Sequence, residues 1–197
     1  MEQDLHSFGV AFGVPVLRDA SHKKLEELVK KYQPTEILEI GTAIGYSGIT
    51  MLENCKGNLT TIELMEGSFN RAKENFENAG LSSRVTAIHG DCNIVLTEMI
   101  CDDNNIGKFD FVFLDGPKGQ YIKMLDCLLL LLKRGGVLVA DNVLFRGYVQ
   151  GGVKYPRRFK TIVKRLAEFI DTCKTHDELE FIELDESDDG MLIAKRK

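Results

Sequence analysis

Four residues in the second half of the chain, Asp115, Lys118, Asp141 and Asn142, combine side-chain types and spacing suited to chemistry. Asp115 follows the apolar run Phe109 to Leu114, and Asp141-Asn142 follow the next one, Gly136 to Ala140. Ends of neighbouring parallel strands lie about 5 Å apart. Two carboxylates and an amide oxygen brought together there make a hard, oxygen-only donor set suited to Mg²⁺ or another divalent cation such as Mn²⁺. Without a cation, adjacent carboxylates repel. The competing reading has Asp141 and Asn142 merely capping a turn. Lys118 sits three residues after Asp115 at the start of a predicted helix, where its charge opposes the helix dipole. Beside a metal, an amine can take up the proton of an acceptor hydroxyl.

A second group of residues lies in the first half. Glu39-Ile-Gly41-Thr-Ala-Ile-Gly45 leads from a strand into a helix, and glycine there lets a ligand approach the backbone closely. Glu63 ends the next strand, 22 residues after Gly41, where an acid can accept hydrogen bonds from ribose hydroxyls. The spacing is G-x-x-x-G. The pyrophosphate-cradling pattern of a nicotinamide dehydrogenase is G-x-G-x-x-G. The loop therefore favours a ligand with a single nucleoside, S-adenosylmethionine, over a dinucleotide.

These residues need a frame that gathers strand ends. Short apolar runs at Glu36–Gly41, Asn58–Glu63, Arg84–His89, Phe109–Leu114 and Gly136–Ala140 alternate with helical stretches, as buried parallel strands do. A basic helix over Arg157–Cys173 follows. Two closing strands, Leu179–Leu184 and Gly190–Lys195, are joined by a tight acidic turn and predict an antiparallel hairpin. The expected architecture is α/β: a doubly wound, mostly parallel, seven-stranded sheet with a C-terminal antiparallel hairpin, in one domain over residues 1–197. In such a sheet ligands lie beyond the carboxyl ends of the strands, which is where Gly41, Glu63, Asp91, Asp115 and Asp141 fall.

Composition agrees with a soluble globular chain: 44% hydrophobic, 28% charged, net charge −5 over 197 residues. The longest apolar run, Cys127 to Leu132, is far short of a membrane span. Met-Glu-Gln-Asp-Leu-His at the start lacks a secretory signature, so a cytoplasmic location is expected. Five scattered cysteines with no CxxC pair read as reduced thiols. Charge is unevenly spread. From Val143 to Ala167 there is no Asp or Glu, yet Arg146, Lys154, Arg157, Arg158, Lys160, Lys164 and Arg165 all fall there. The segment is either a site for an anionic partner or a solvated helix face.

Leu38-Glu-Ile-Gly-Thr-Ala-Ile-Gly-Tyr-Ser47, Phe113-Leu-Asp-Gly-Pro-Lys-Gly-Gln-Tyr121 and Ala140-Asp-Asn-Val143 resemble the metal-dependent class I O-methyltransferases of the catechol and caffeoyl-CoA type, from about Pro15 to the C-terminus. The D-x-x-K plus D-N combination is specific to that group, whereas most class I methyltransferases share the glycine loop. Gly116-Pro117 departs from the small non-proline residues common there. The resemblance implies a Rossmann-like methyltransferase fold, a homodimer and a full set of roles. Asp115, Asp141 and Asn142 would hold the metal, with Asp115 also beside the cofactor, and Lys118 would be the catalytic base. Glu63 would bind the ribose. Gly41, Thr42 and Ser47 would surround the methionine moiety, with Glu39 ordering them, and Asp91 and Cys92 would lie beside the adenine. Lys118-Gly-Gln-Tyr121, Asp141 to Gly147 and Arg157 to Arg165 look most similar to bacterial tRNA 5-hydroxyuridine methyltransferases. That likeness and the basic segment together predict methylation of 5-hydroxyuridine at the tRNA wobble position, with the seven cations on phosphates. The alternatives are a small catechol-like or CoA-linked phenol as acceptor and, more remotely, a non-catalytic RNA-binding protein of the same fold.

Overall fold

The computed structural model describes residues 17–197; the N-terminal stretch read for a leader lies outside them. The chain divides into two compact units, Met1–Val95 and Leu96–Lys197.

In the first unit, α1 (Asp19–Tyr32) precedes β1 (Glu36–Ile40), α2 (Tyr46–Glu53), β2 (Asn58–Glu63), α3 (Glu66–Asn78) and β3 (Val85–His89). The sequence reading did not assign α1. Its signal is the buried stripe Leu25, Leu28 and Val29, spaced at i, i+3, i+4 as an amphipathic helix requires. The strands run parallel, with Leu38 opposite Thr60 and Thr60 opposite Thr86. Four of five β1 residues are buried, whereas no residue of β3 is, as expected of a covered strand and an outer one.

α4 (Cys92–Ile100) leads into the second unit, which holds β4 (Phe109–Leu114), α5 (Tyr121–Leu131), β5 (Leu132–Ala140), α6 (Lys160–Thr175), β6 (Leu179–Asp185) and β7 (Met191–Arg196). β4 and β5 are parallel, and β7 lies antiparallel to both β5 and β6. The C-terminal hairpin is present as expected. β5 starts earlier than the predicted Gly136: Leu132 pairs with Phe109, and after a register shift Val137 pairs with Phe111. The sequence hid this start because Lys133, Arg134 and Gly135, which bulge between the two pairings, are exposed and polar or small. The predicted helix from Lys118 begins as a single 3-10 turn, Lys118–Gln120, before α5.

Among the described residues seven strands make up the mixed sheet, in the order β3-β2-β1 from the first unit and β4-β5-β7-β6 from the second. This is the expected seven-stranded α/β architecture. Phe109, Phe111 and Phe113 alternate along β4 with no exposure, and they center the core of the second unit. No helix among the described residues is long and apolar enough to cross a membrane. Cys55, Cys92, Cys101, Cys127 and Cys173 are all free thiols, and burial pushes that of Cys173 up to about 12.

Candidate functional site

The first-unit residues are ordered by a buried acid. Glu39 is fully buried on β1 and receives hydrogen bonds from the Ser47 hydroxyl and, at 2.6 Å, from Thr61 Oγ1. Thr61 has one proton and donates it to Glu39, so it accepts from Thr42 Oγ1, 2.5 Å away. The hydroxyls of Thr42 and Ser47 thus face inward, and the geometry gives them the task of shaping the loop. Thr61 completes this network and was not singled out by sequence reasoning; its signal is a hydroxyl on a covered strand opposite an acid, in register with Glu39.

Above that network the backbone bends sharply. Gly41, Ala43 and Gly45 all take positive φ (98°, 47° and 85°). At Gly45 a Cβ would also meet the Phe76 ring at 3.1 Å, so glycine is required twice over. Glu63 holds the bend from β2: Oε2 accepts the Ala43 N–H and Oε1 the Met65 N–H, each at 2.8 Å. Each oxygen keeps a second acceptor position for a hydroxyl. Leu64 and Met65 follow with 59% and 63% exposure, an apolar surface beside the acid unusual for side chains of this size.

Asp91 caps α4. Its Oδ1 accepts from the backbone N–H of Asn93 at 2.8 Å and from its side-chain amide at 3.1 Å. That amide, together with the N–H groups of Asn93 and Ile94, holds the Asp91 carboxyl below its usual range. Cys92 next to it is buried. Its thiol is pushed up by burial first and by the Asp91 charge second, so it remains neutral near pH 7.

In the second unit the strand register brings the predicted acids together. Leu114 pairs with Ala140, so Asp115 and Asp141 leave the sheet side by side, and the Asp141 N–H donates to the Leu114 carbonyl at 3.0 Å. Asp141 is 1% exposed. Asp115 is partly open and pairs with Lys118, whose Nζ lies 2.5 Å from Oδ1. That ion pair offsets the unfavourable position of an ammonium at a helix start. Asn142 adopts φ 56°, a left-handed conformation that asparagine tolerates better than most residues.

Two further residues support these strand ends, and sequence spacing did not reveal either. The fully buried Tyr121 places its hydroxyl 3.1 Å from the Leu114 carbonyl and 3.2 Å from that of Asp141. Asp189, in the β6–β7 turn, accepts the Arg146 N–H at 3.1 Å through Oδ1 and the Leu144 N–H at 2.8 Å through its carbonyl. It steadies a segment in which Phe145 and Arg146 are also left-handed, a strain of roughly 1 kcal/mol or more at each. Among the described residues there is no cluster of three or more His, Cys, Asp or Glu able to hold a metal; the expected set has two carboxylates and an amide. By donor chemistry and by the pairing of the two strand ends, those three residues suit a hard divalent cation.

Of the seven basic residues, Arg146, Lys154, Arg157, Arg158, Lys160 and Lys164 are exposed. Arg165 is half-buried and donates to the Gly119 carbonyl at 3.0 Å, which ties α6 to the Lys118 turn. The sequence did not foretell the rings among the cations. Phe145, Tyr148, Tyr155 and Phe159 form a chain of contacts at 5.3–6.1 Å, with the Arg158 guanidinium 4.8 Å from the Phe159 ring.

A seven-stranded α/β fold whose first loop is organised around one acid, with a second acid at the end of β2, is the architecture of S-adenosylmethionine-dependent methyltransferases. Residues 14–197 match the O-methyltransferase family model, and the chain belongs to that family. It is 26% identical to a caffeoyl-CoA O-methyltransferase of Populus kitakamiensis over 99% of this chain and 83% of that one. It is 32% identical to a catechol O-methyltransferase of Niastella koreensis over 72% of this chain, so the match spans about two thirds (66%) of that relative. Among solved structures, the O-methyltransferase TomG of Streptomyces achromogenes, in complex with S-adenosylmethionine, superposes with a TM-score of 0.82 at 25% identity over 96% of this chain and 86% of that one.

Proposed function

We propose that this chain transfers the methyl group of S-adenosylmethionine to a hydroxyl of a small catechol-like or CoA-linked phenol, with Mg²⁺ or Mn²⁺ held by Asp115, Asp141 and Asn142. The observation that carries the reading is the register of β4 and β5, which sends Asp115 and Asp141 out of the sheet as neighbours with Lys118 on one of them. Bound by these residues, a divalent cation would supply Lewis-acid chemistry that eases ionisation of an acceptor hydroxyl. Lys118, in its neutral amine form, would take the acceptor proton, and the acceptor oxygen would attack the sulfonium methyl in line, the O–CH3 bond forming as the S–CH3 bond breaks and S-adenosylhomocysteine leaves. The donor is positive and the nucleophile negative, so the protein contributes mainly by orienting the two. The Glu39-ordered loop and Glu63 hold the methionine and ribose parts of the cofactor, and Asp91 and Cys92 flank the adenine.

The names of the relatives, catechol and caffeoyl-CoA enzymes, favour a small phenol over the wobble uridine that the sequence reading put first. One observation keeps tRNA as a second reading: six exposed cations interleaved with aromatic rings in mutual contact, a surface suited to phosphates and bases. The test offers the purified protein labelled S-adenosylmethionine with catechol, caffeoyl-CoA or tRNA containing 5-hydroxyuridine, with and without EDTA. Transfer to a phenol is expected, lost in EDTA and restored by Mg²⁺. Label appearing in tRNA alone would replace the acceptor, and full activity in EDTA would remove the metal.

A further inference from the structure

The hydroxyl of Tyr121 lies at the meeting point of the second unit's functional residues. It is 3.1 Å from the carbonyl before Asp115 and 3.2 Å from the carbonyl between Asp141 and Asn142. A phenol has one proton to donate, so this single group is shared between the two strand ends. The register of the two strands ends with the pairing of Leu114 and Ala140, and just beyond it the Asp141 N–H donates to the same Leu114 carbonyl at 3.0 Å. The ring is immobilised from α6, where Phe169 meets it edge-on at 5.5 Å. Lys118 Nζ lies over the same ring at 6.0 Å. Phenylalanine would fill the same volume against Phe169. Packing therefore accounts for the ring and not for the hydroxyl, which contacts the two peptide groups flanking Asp115 and Asp141.

We propose that the Tyr121 hydroxyl is a positioning group that fixes the separation of the β4 and β5 ends, so that Asp115, Asp141 and Asn142 can serve one divalent cation. This rests on the metal reading above. Groups that orient the ligands of a metal typically change its affinity by about 10- to 100-fold when removed. The experiment titrates Mn²⁺, followed by electron paramagnetic resonance, into the wild type, Asp141→Ala, Tyr121→Phe and Phe169→Leu, and measures S-adenosylmethionine affinity for each by calorimetry. Tyr121→Phe is expected to weaken Mn²⁺ binding by about 10-fold and to leave cofactor affinity unchanged, whereas a merely structural role would move both or neither. Mn²⁺ binding by Tyr121→Phe as tight as in the wild type overturns the positioning role. A wild type that binds Mn²⁺ no better than Asp141→Ala overturns the metal reading itself, and the positioning role with it. Should Tyr121→Phe fail to fold, Phe169→Leu loosens the ring and leaves the hydroxyl in place. A weaker Mn²⁺ affinity in that variant supports the role, and an unchanged one overturns it.

Discussion

The two groups of candidate site residues are built by different means. In the first unit the glycine loop is held from below by a compact network: Glu39 receives Ser47 and Thr61, and Glu63 receives the N–H groups of Ala43 and Met65. In the second unit the acidic strand ends are held from a distance, by Tyr121 on α5, by Arg165 on α6 and by the Asp189 turn of the terminal hairpin. The first arrangement suits a ligand met chiefly by backbone and hydroxyls. The second suits a small ion, whose affinity depends on the placement of a few oxygens and so on whatever fixes the strand ends.

Disabling the second group should have the largest effect. Asp141→Ala is expected to lower methyl transfer by at least about 1,000-fold, or roughly 4 kcal/mol, while the cofactor still binds within about twofold of the wild type. A steady-state assay beside calorimetric titration checks both halves. Loss of cofactor binding as well would show that the two groups are not separable in this way.

The next effect is on stability. At Gly190, φ is 82° and a Cβ would stand 2.3 Å from Leu144 Cγ, so Gly190→Ala should cost about 3 kcal/mol by urea unfolding. Gly80 in the first unit is equally left-handed at 70° but has open space around it, and Gly80→Ala should cost only about 1 kcal/mol. Equal losses would mean that backbone strain alone matters at Gly190 and that the hairpin turn does not brace the loop after Asn142.

That contrast also marks what the sequence could reveal. The placement of Gly41, Glu63, Asp115 and Asp141 was legible because each follows or closes a strand, and the order of strands dictates where such residues emerge. The seven-stranded plan was legible for the same reason. Tyr121, Thr61 and Asp189 were not, because their tasks depend on partners 7 to 45 residues away, joined only by the fold. The half-buried state of Arg165 was hidden too. Within a run of basic residues nothing local distinguishes the one whose guanidinium reaches the Gly119 carbonyl.

A smaller effect is expected in the first unit. Glu63→Ala removes an acceptor of two backbone N–H groups as well as the expected ribose partner. Cofactor affinity should fall by about 1.5–3 kcal/mol, the range for hydrogen bonds to a charged group. Calorimetry measures it directly. An unchanged dissociation constant would leave Glu63 with the loop-shaping role alone.

The smallest effect, by intent close to none, sharpens the comparison from the side of the acceptor. Arg157→Glu with Arg158→Glu reverses two exposed charges and leaves Arg165, the structural member of the segment, in place. With a catechol as acceptor, kcat/KM should stay within about twofold, because a neutral ring gains little from distant cations screened by salt. The loss of the Arg158 contact with Phe159 gives a built-in control for local disorder, since a cation–π contact at an exposed site contributes about 0.5–1 kcal/mol and would appear in the unfolding midpoint. A phosphate-bearing acceptor responds differently. If tRNA were the substrate, three or four phosphate contacts would give wild-type binding a log–log salt slope of roughly −2 to −4, and the double reversal would flatten it and raise the KM for tRNA alone. A steep slope with tRNA, together with silence on catechol, would move the six exposed cations from a solvated surface to a substrate-binding one.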